Sequence, residues 1–187
     1  MKKKDGGIIV EVTVFFMLMI VMILIVFITS LGQVKAESEM VNDDLGTSEL
    51  AAFKDIDTDV LGKSQNLNEL VITDYNTAFQ TFETYLKENL NVNDSFNPNS
   101  KANFIKSKVT ISDFEIYNLY GNDIEVITYK NGSFSKVYNN NAKGTIKTPK
   151  GNIVNYTTIY AKIEFDINPI FNVKKHVICE EESNIDK

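Results

Sequence analysis

A single carboxylate, Glu11, interrupts the apolar run from Ile8 to Leu31 (IIVEVTVFFMLMIVMILIVFITSL), where the other polar residues are Thr13, Thr29 and Ser30. An acid buried in a bilayer costs roughly 2.5–3.5 kcal/mol at mid-depth and less near an edge, so it calls for a cationic partner. No lysine or histidine within the run supplies one. One turn from the end, the side chain could instead simply reach the headgroups. Asp55, Asp57 and Asp59 alternate as at the start of a calcium loop. The glycine such a loop needs would fall at Val60 and the bidentate glutamate at Asn66, so they are weak metal candidates and an acidic solvated loop is expected. His176 and Cys179 are the sole residues of their types and, three apart in a strand, face opposite ways: a surface imidazole and a buried thiol. No glycine-rich phosphate loop, G-x-S-x-G elbow or H-E-x-x-H pair occurs. A protein without catalytic residues, metal or cofactor is therefore expected.

The elements that must position Glu11 follow from the run itself. Its 24 residues form a helix about 36 Å long, enough for a hydrocarbon core of roughly 30 Å. Lys2, Lys3 and Lys4 precede it, and Glu37, Glu39, Asp43 and Asp44 follow. The excess of lysine on the short N-terminal side places that end in the cytoplasm and everything after Leu31 outside. A cleaved secretory signal is the rival, with Val34-Lys35-Ala36 as a small-residue cut site, but its apolar region would run about 7–15 residues and this one is longer.

The 187 residues suffice for one domain with an appendage, and the net charge is −6. All 19 basic residues are lysine, and there is no arginine or tryptophan. Only Lys2–Lys4 precede the run, and only Asp5 and Glu11 among the 25 acids lie before its end, which leaves residues 32–187 at −7. So acidic a chain excludes nucleic acid as the expected partner. One cysteine and one histidine exclude an internal disulfide framework and a Cys/His metal site.

The leader Lys2-Lys3-Lys4-Asp5-Gly6-Gly7 is short, basic and ends in glycine. A cut between Gly6 and Gly7 would give Gly7 a new α-amine and make Glu11 the fifth residue. This arrangement resembles the class III signal of type IV pilins and pseudopilins. Within that family KDGGIIVEV looks most like the Tad (tight adherence) branch, particularly the TadE-like minor pseudopilins, with a small first residue (Gly7) and a Val-Glu pair (Val10-Glu11). The resemblance implies cleavage after Gly6 by a prepilin peptidase. It further implies that Glu11 meets the N-terminal amine of a neighbouring subunit, that Lys2–Lys4 serve orientation and recognition, and that the partners are other pilin subunits, the assembly platform and membrane lipid. Two departures, no aromatic at Gly7 and Val12 where short major subunits carry tyrosine, point to a minor role.

Beyond the run, Leu31, Val34, Val41 and Leu45 share a helical face, so the helix is expected to continue as an amphipathic stalk. Gly46, Thr47 and Ser48 suggest a stop and a restart to Phe53. Lys54–Ser64 reads as a linker. Leu67–Leu90 reads as a helix whose stripe (Leu70, Phe79, Phe82, Leu86 among others) packs on a sheet, and 91–102 as a loop. One or two strands are expected around 108–111 and 114–119, and further strands at 124–130 and 133–138 about the Asn131-Gly132 turn and at 145–148 and 152–156 about Pro149-Lys150-Gly151. Ile159–Ile167 alternates cleanly, one face buried and one wet; 172–179 follows as an edge strand and 180–187 as a frayed tail. Tyr138, Tyr156 and Tyr160 would then cover an exposed sheet face.

The expected organisation is a leader (1–6), a membrane helix (7–31), a stalk and linker (32–64) and an α+β head (65–187) with five to seven antiparallel strands. Its expected role is a minor pilin or pseudopilin subunit. The rivals are a bitopic surface protein whose helix is only an anchor for a binding head and, furthest from the residues, an enzyme.

Overall fold

The computed structural model describes residues 5–56, 70–130, 132–168 and 173–185. One helix, α1 (Asp5–Ala52), runs for 48 residues, about 72 Å, and closes in a 3-10 turn over Phe53–Asp55. A second helix, α2, spans Tyr75–Asn89. Five strands follow: β1 (Thr110–Tyr120), β2 (Asp123–Lys130), β3 (Ser133–Asn139), β4 (Thr158–Ile167) and β5 (Lys175–Asn184). They form one antiparallel sheet in the order β3-β2-β1-β4-β5. The architecture is α+β: a long apolar N-terminal helix whose C-terminal part lies with α2 on one face of the sheet.

The core sits between the helices and that face. From α2 come Ala78, Phe79, Phe82 and Leu86, the expected stripe, all buried. They meet Phe114 and Ile116 of β1 and Ile163 and Phe165 of β4. The Phe82 and Phe114 rings stand 4.8 Å apart and those of Phe79 and Phe114 5.0 Å apart. Each large side chain buried here contributes about 1.5–3 kcal/mol. α1 joins this core through Val41, Leu45 and Ala52, with Val34 packed at its margin, whereas Leu31 stays exposed.

α1 does not stop at Gly46. Ser48 donates its hydroxyl to the Asp44 carbonyl (2.6 Å) as an interior helical residue rather than a cap. A Cβ on Gly46 would stand 3.4 Å from Glu181 Cγ on β5, so the glycine serves close helix–strand approach. The second helix begins at Tyr75, not Leu67 (Leu67 itself lies outside the described residues). Asp74 caps it, accepting the Thr77 N–H at 3.0 Å and the Thr77 hydroxyl at 2.7 Å. Leu70, Val71 and Ile72 are buried but lie outside the helix.

Of the one or two strands expected before Leu119 the structure has one, β1, with a register shift between Ile111 and Asp113. The β2–β3 hairpin is in place, with Gly132 at φ +82°; Asn131 lies outside the described residues. The Pro149-Lys150-Gly151 turn is present, Gly151 at φ +88° donating to the Thr148 carbonyl at 2.8 Å, but its flanks shrink to one bridge between Lys147 and Ile153. That segment folds over the far face of the sheet, where Ala142 and Val154 close a small second core on Tyr117, Leu119, Ile124 and Tyr160. Tyr160 is therefore buried, not a surface tyrosine. The expected tail is ordered strand: Glu180–Asn184 completes β5 along β4, and Ser183 is buried.

Candidate functional site

The N-terminal half of α1 is apolar and uncovered by the rest of the described residues. Every described side chain from Gly7 to Thr29 is exposed, and the helix is long and apolar enough to cross a membrane. Its hydroxyls are satisfied within the helix: Thr13 donates to the Ile9 carbonyl, Thr29 to that of Ile25 and Ser30 to that of Val26, each at 2.8–2.9 Å. Such back-bonding is what hydroxyls need where no water is at hand.

Glu11 has no equivalent. It projects from the second turn of α1 with no hydrogen-bond or ion-pair partner among the described residues. Its neighbours on the same helix face, Gly7, Ile8, Val14 and Phe15, carry no charge. Gly6 and Gly7 fall in the first turn, and nothing packs within 4 Å of where a Gly7 Cβ would stand. Glycine weakens a helix interior by about 1 kcal/mol relative to alanine, so this turn is the part of α1 most readily unwound. Glu11 thus lies one turn from a weak, open segment. Lys2, Lys3 and Lys4 lie outside the described residues.

The remaining candidates separate. Asp55 ends the 3-10 turn, while Asp57 and Asp59 lie outside the described residues; among those described, no three His, Cys, Asp or Glu side chains form a metal-holding group. Cys179 is buried between sheet and helices, and burial pushes its thiol up to about 11. His176, on the opposite face of β5, stands exposed with Nδ1 3.1 Å from Asp166 and Nε2 3.5 Å from Glu164. The alternation that separates Cys179 from His176 was legible in the sequence.

A buried carboxyl was not anticipated. Glu49 is fully enclosed where α1 meets β4 and β5, and neither carboxyl oxygen reaches hydrogen-bonding geometry. Burial raises it well above the ordinary carboxylate range. The Ser183 side chain pulls it back, nearby Glu181 pushes it further up, and the Ala161 backbone and Lys150 oppose. Lys150 itself is held by Glu181 at 3.0 Å. The signal was available: Glu49 follows Val41 and Leu45 at spacings of eight and four, which carries the buried stripe directly onto it.

No family model matches the chain, and neither does any curated protein or solved structure. Fold and site therefore define the protein only as an α+β chain in which, among the described residues, one N-terminal helix is long and apolar enough to cross a membrane.

Proposed function

We propose that the chain is a TadE-like minor pseudopilin. It would be inserted with Lys2–Lys4 in the cytoplasm and the head outside, trimmed between Gly6 and Gly7, and packed by its helix beside sister subunits of a Tad-type pilus or related filament. The observation that carries this reading is the Glu11 carboxylate, without a partner among the described residues, at the fifth position counted from Gly7 and the one charged residue of the run Ile8–Leu31. The amine that cleavage would create at the N-terminus of a neighbouring copy is a counter-charge of the right sign. A buried carboxylate left without its partner costs about 3–5 kcal/mol, so pairing would select subunits in correct axial register.

The roles then distribute along the first dozen residues. Lys2, Lys3 and Lys4 hold the leader on the cytoplasmic side. The glycine pair lets a peptidase unwind the first turn. Glu11 selects the neighbour, and the head presents the outer surface of the assembly.

The test is the N-terminus of the membrane-extracted protein, by intact mass and N-terminal sequencing. A chain starting at Gly7 supports processing. One starting at Met1 leaves an uncut anchor carrying a head, and one starting near Glu37 means secretion.

A further inference from the structure

We infer that the helix-exit end of the head is a docking surface for anionic lipid headgroups. This rests on α1 crossing a bilayer but not on assembly into a filament. A headgroup layer is roughly 5–8 Å deep, so three to five residues of helix after Leu31 lie within it. At that level the head already reaches the helix. A cleft of about 400 Å³ has Ser30, Gln33 and Glu37 of α1 on one wall and Asn103, Phe104 and Lys106 on the other.

The fold concentrates lysine there. Ile105 bridges Ile167, the Lys106 N–H donates to the Asp166 carbonyl at 2.7 Å, and Ile167 pairs with Lys175 across β4 and β5. The segments 100–108 and 173–176 thus flank the C-terminal end of β4, one on each edge. Between them they hold Lys101, Lys106, Lys108, Lys174 and Lys175, all exposed, and no acid. The acids nearby are fewer than the lysines: Asp166 holds Lys174 at 2.8 Å, Glu164 lies 3.5 Å from His176, Glu39 lies 3.7 Å from Lys35, and Glu37 faces the cleft. Lys106 Nζ reaches back to the Lys101 carbonyl at 2.8 Å, which keeps the two lysines together. Val173, 64% exposed next to Lys174, adds an apolar contact at the same level.

A net positive end on an otherwise acidic head, set at headgroup depth, matches a negatively charged membrane surface. The predominantly acidic remainder would be held away from the same surface. The head would therefore stand with its sheet upright on the bilayer, not lying against it.

The experiment uses the full chain reconstituted into vesicles of phosphatidylcholine, alone or mixed with phosphatidylglycerol. Heads that face outward are treated with a membrane-impermeant acylating reagent, and each lysine is read by mass spectrometry. Lys101, Lys106 and Lys175 should react about fivefold more slowly in the anionic vesicles at low salt, and high salt should abolish the difference. Lys147 and Lys150, at the opposite end, should react alike in both and serve as the check on folding. The double variant Lys106→Glu, Lys175→Glu should lose the lipid dependence at Lys101 while leaving Lys147 unchanged. Equal rates in the two lipids overturn the proposal, as does protection that soluble polyphosphate gives and phosphatidylglycerol does not. Flotation of the chain with neutral vesicles after a carbonate wash tests the crossing separately. A chain that floats yet shows equal rates leaves the crossing standing and removes only the docking surface; a chain that fails to float removes both.

Discussion

Asn118 holds Ile72 from both sides: its Oδ1 accepts the Ile72 N–H at 2.8 Å and its Nδ2 donates to the Ile72 carbonyl at 2.9 Å. Both residues are fully buried. The irregular segment before α2 thus finds in one amide side chain the pairing that a neighbouring strand would give. Thr157 repeats the device, donating to the Leu70 carbonyl at 2.5 Å and accepting the Leu119 N–H at 3.2 Å. Asn118→Ala should cost about 2–6 kcal/mol, since it strands a buried donor and a buried acceptor at about 1–3 kcal/mol each. Denaturant unfolding of the detergent-solubilised protein checks this, and a loss below about 0.5 kcal/mol would show that the pairing is dispensable.

Glu49 sets a pH dependence whose sign follows from its burial. Its folded-state pKa lies above the ordinary value of 4.5, so the folded protein holds the extra proton. The corresponding stabilisation is complete below about pH 4.5 and is lost as pH rises through the raised value. Glu49→Gln should flatten that slope and gain on the order of 1 kcal/mol at neutral pH, because no charge then needs solvation. Stability curves of the two proteins that run parallel from acid to neutral pH would sink the assignment.

If the chain is the pseudopilin proposed above, Glu11→Ala should leave membrane insertion intact and abolish recruitment into the filament. Glu11→Gln should do the same, since it preserves size and polarity but not charge. Piliation and membrane fractionation of the expressing cells provide the readout. Normal piliation with either variant would refute inter-subunit pairing.

Gly6→Phe should leave the leader attached. The bulky residue both fills the cleavage position and strengthens the first helical turn relative to glycine, by a few tenths of a kcal/mol. Intact mass of the membrane form gives the answer directly, and a trimmed product would exclude Gly6 as the processing determinant.

Cys179 should report global unfolding. With its thiol pushed up to about 11 and its side chain enclosed, it should react with a thiol reagent at pH 8 at least a hundredfold more slowly than in denaturant. Fast native labelling would mean that the packing of β5 against the helices opens locally.

Local pattern carried much of the fold and long-range contact carried the rest. The alternation of Ile159–Ile167 and the Asn131-Gly132 signal located β4 and the β2–β3 hairpin because their period and turn chemistry are intrinsic to the segment. Leu70 and Val71 misled because their spacing fits the stripe of α2, while the backbone there is held from far along the chain, the Leu70 carbonyl by Thr157 and the Ile72 N–H and carbonyl by Asn118. Asp74 followed by Thr77 was the local sign of the true helix start. Gly46 read as a break because the approach of Glu181 on β5 is invisible in the chain. The acids of 180–182 read as a tail because their partners, the Tyr160 hydroxyl at 3.0 Å from Glu180 and the Asn152 amide at 2.6 Å from Glu182, come from elsewhere. At the candidate site, Glu11 and the glycines were legible because they depend only on neighbouring residues. Glu49 required the buried stripe to be extended by one turn.

The continuity of α1 has a mechanical consequence. No break separates its lipid-compatible half from the half bedded against α2 and β5, and Gly46 strengthens that bedding instead of loosening it. Torque or axial displacement at Glu11 therefore passes along the same rod to the sheet. Whatever grips the greasy end also sets the direction in which the β-strands point.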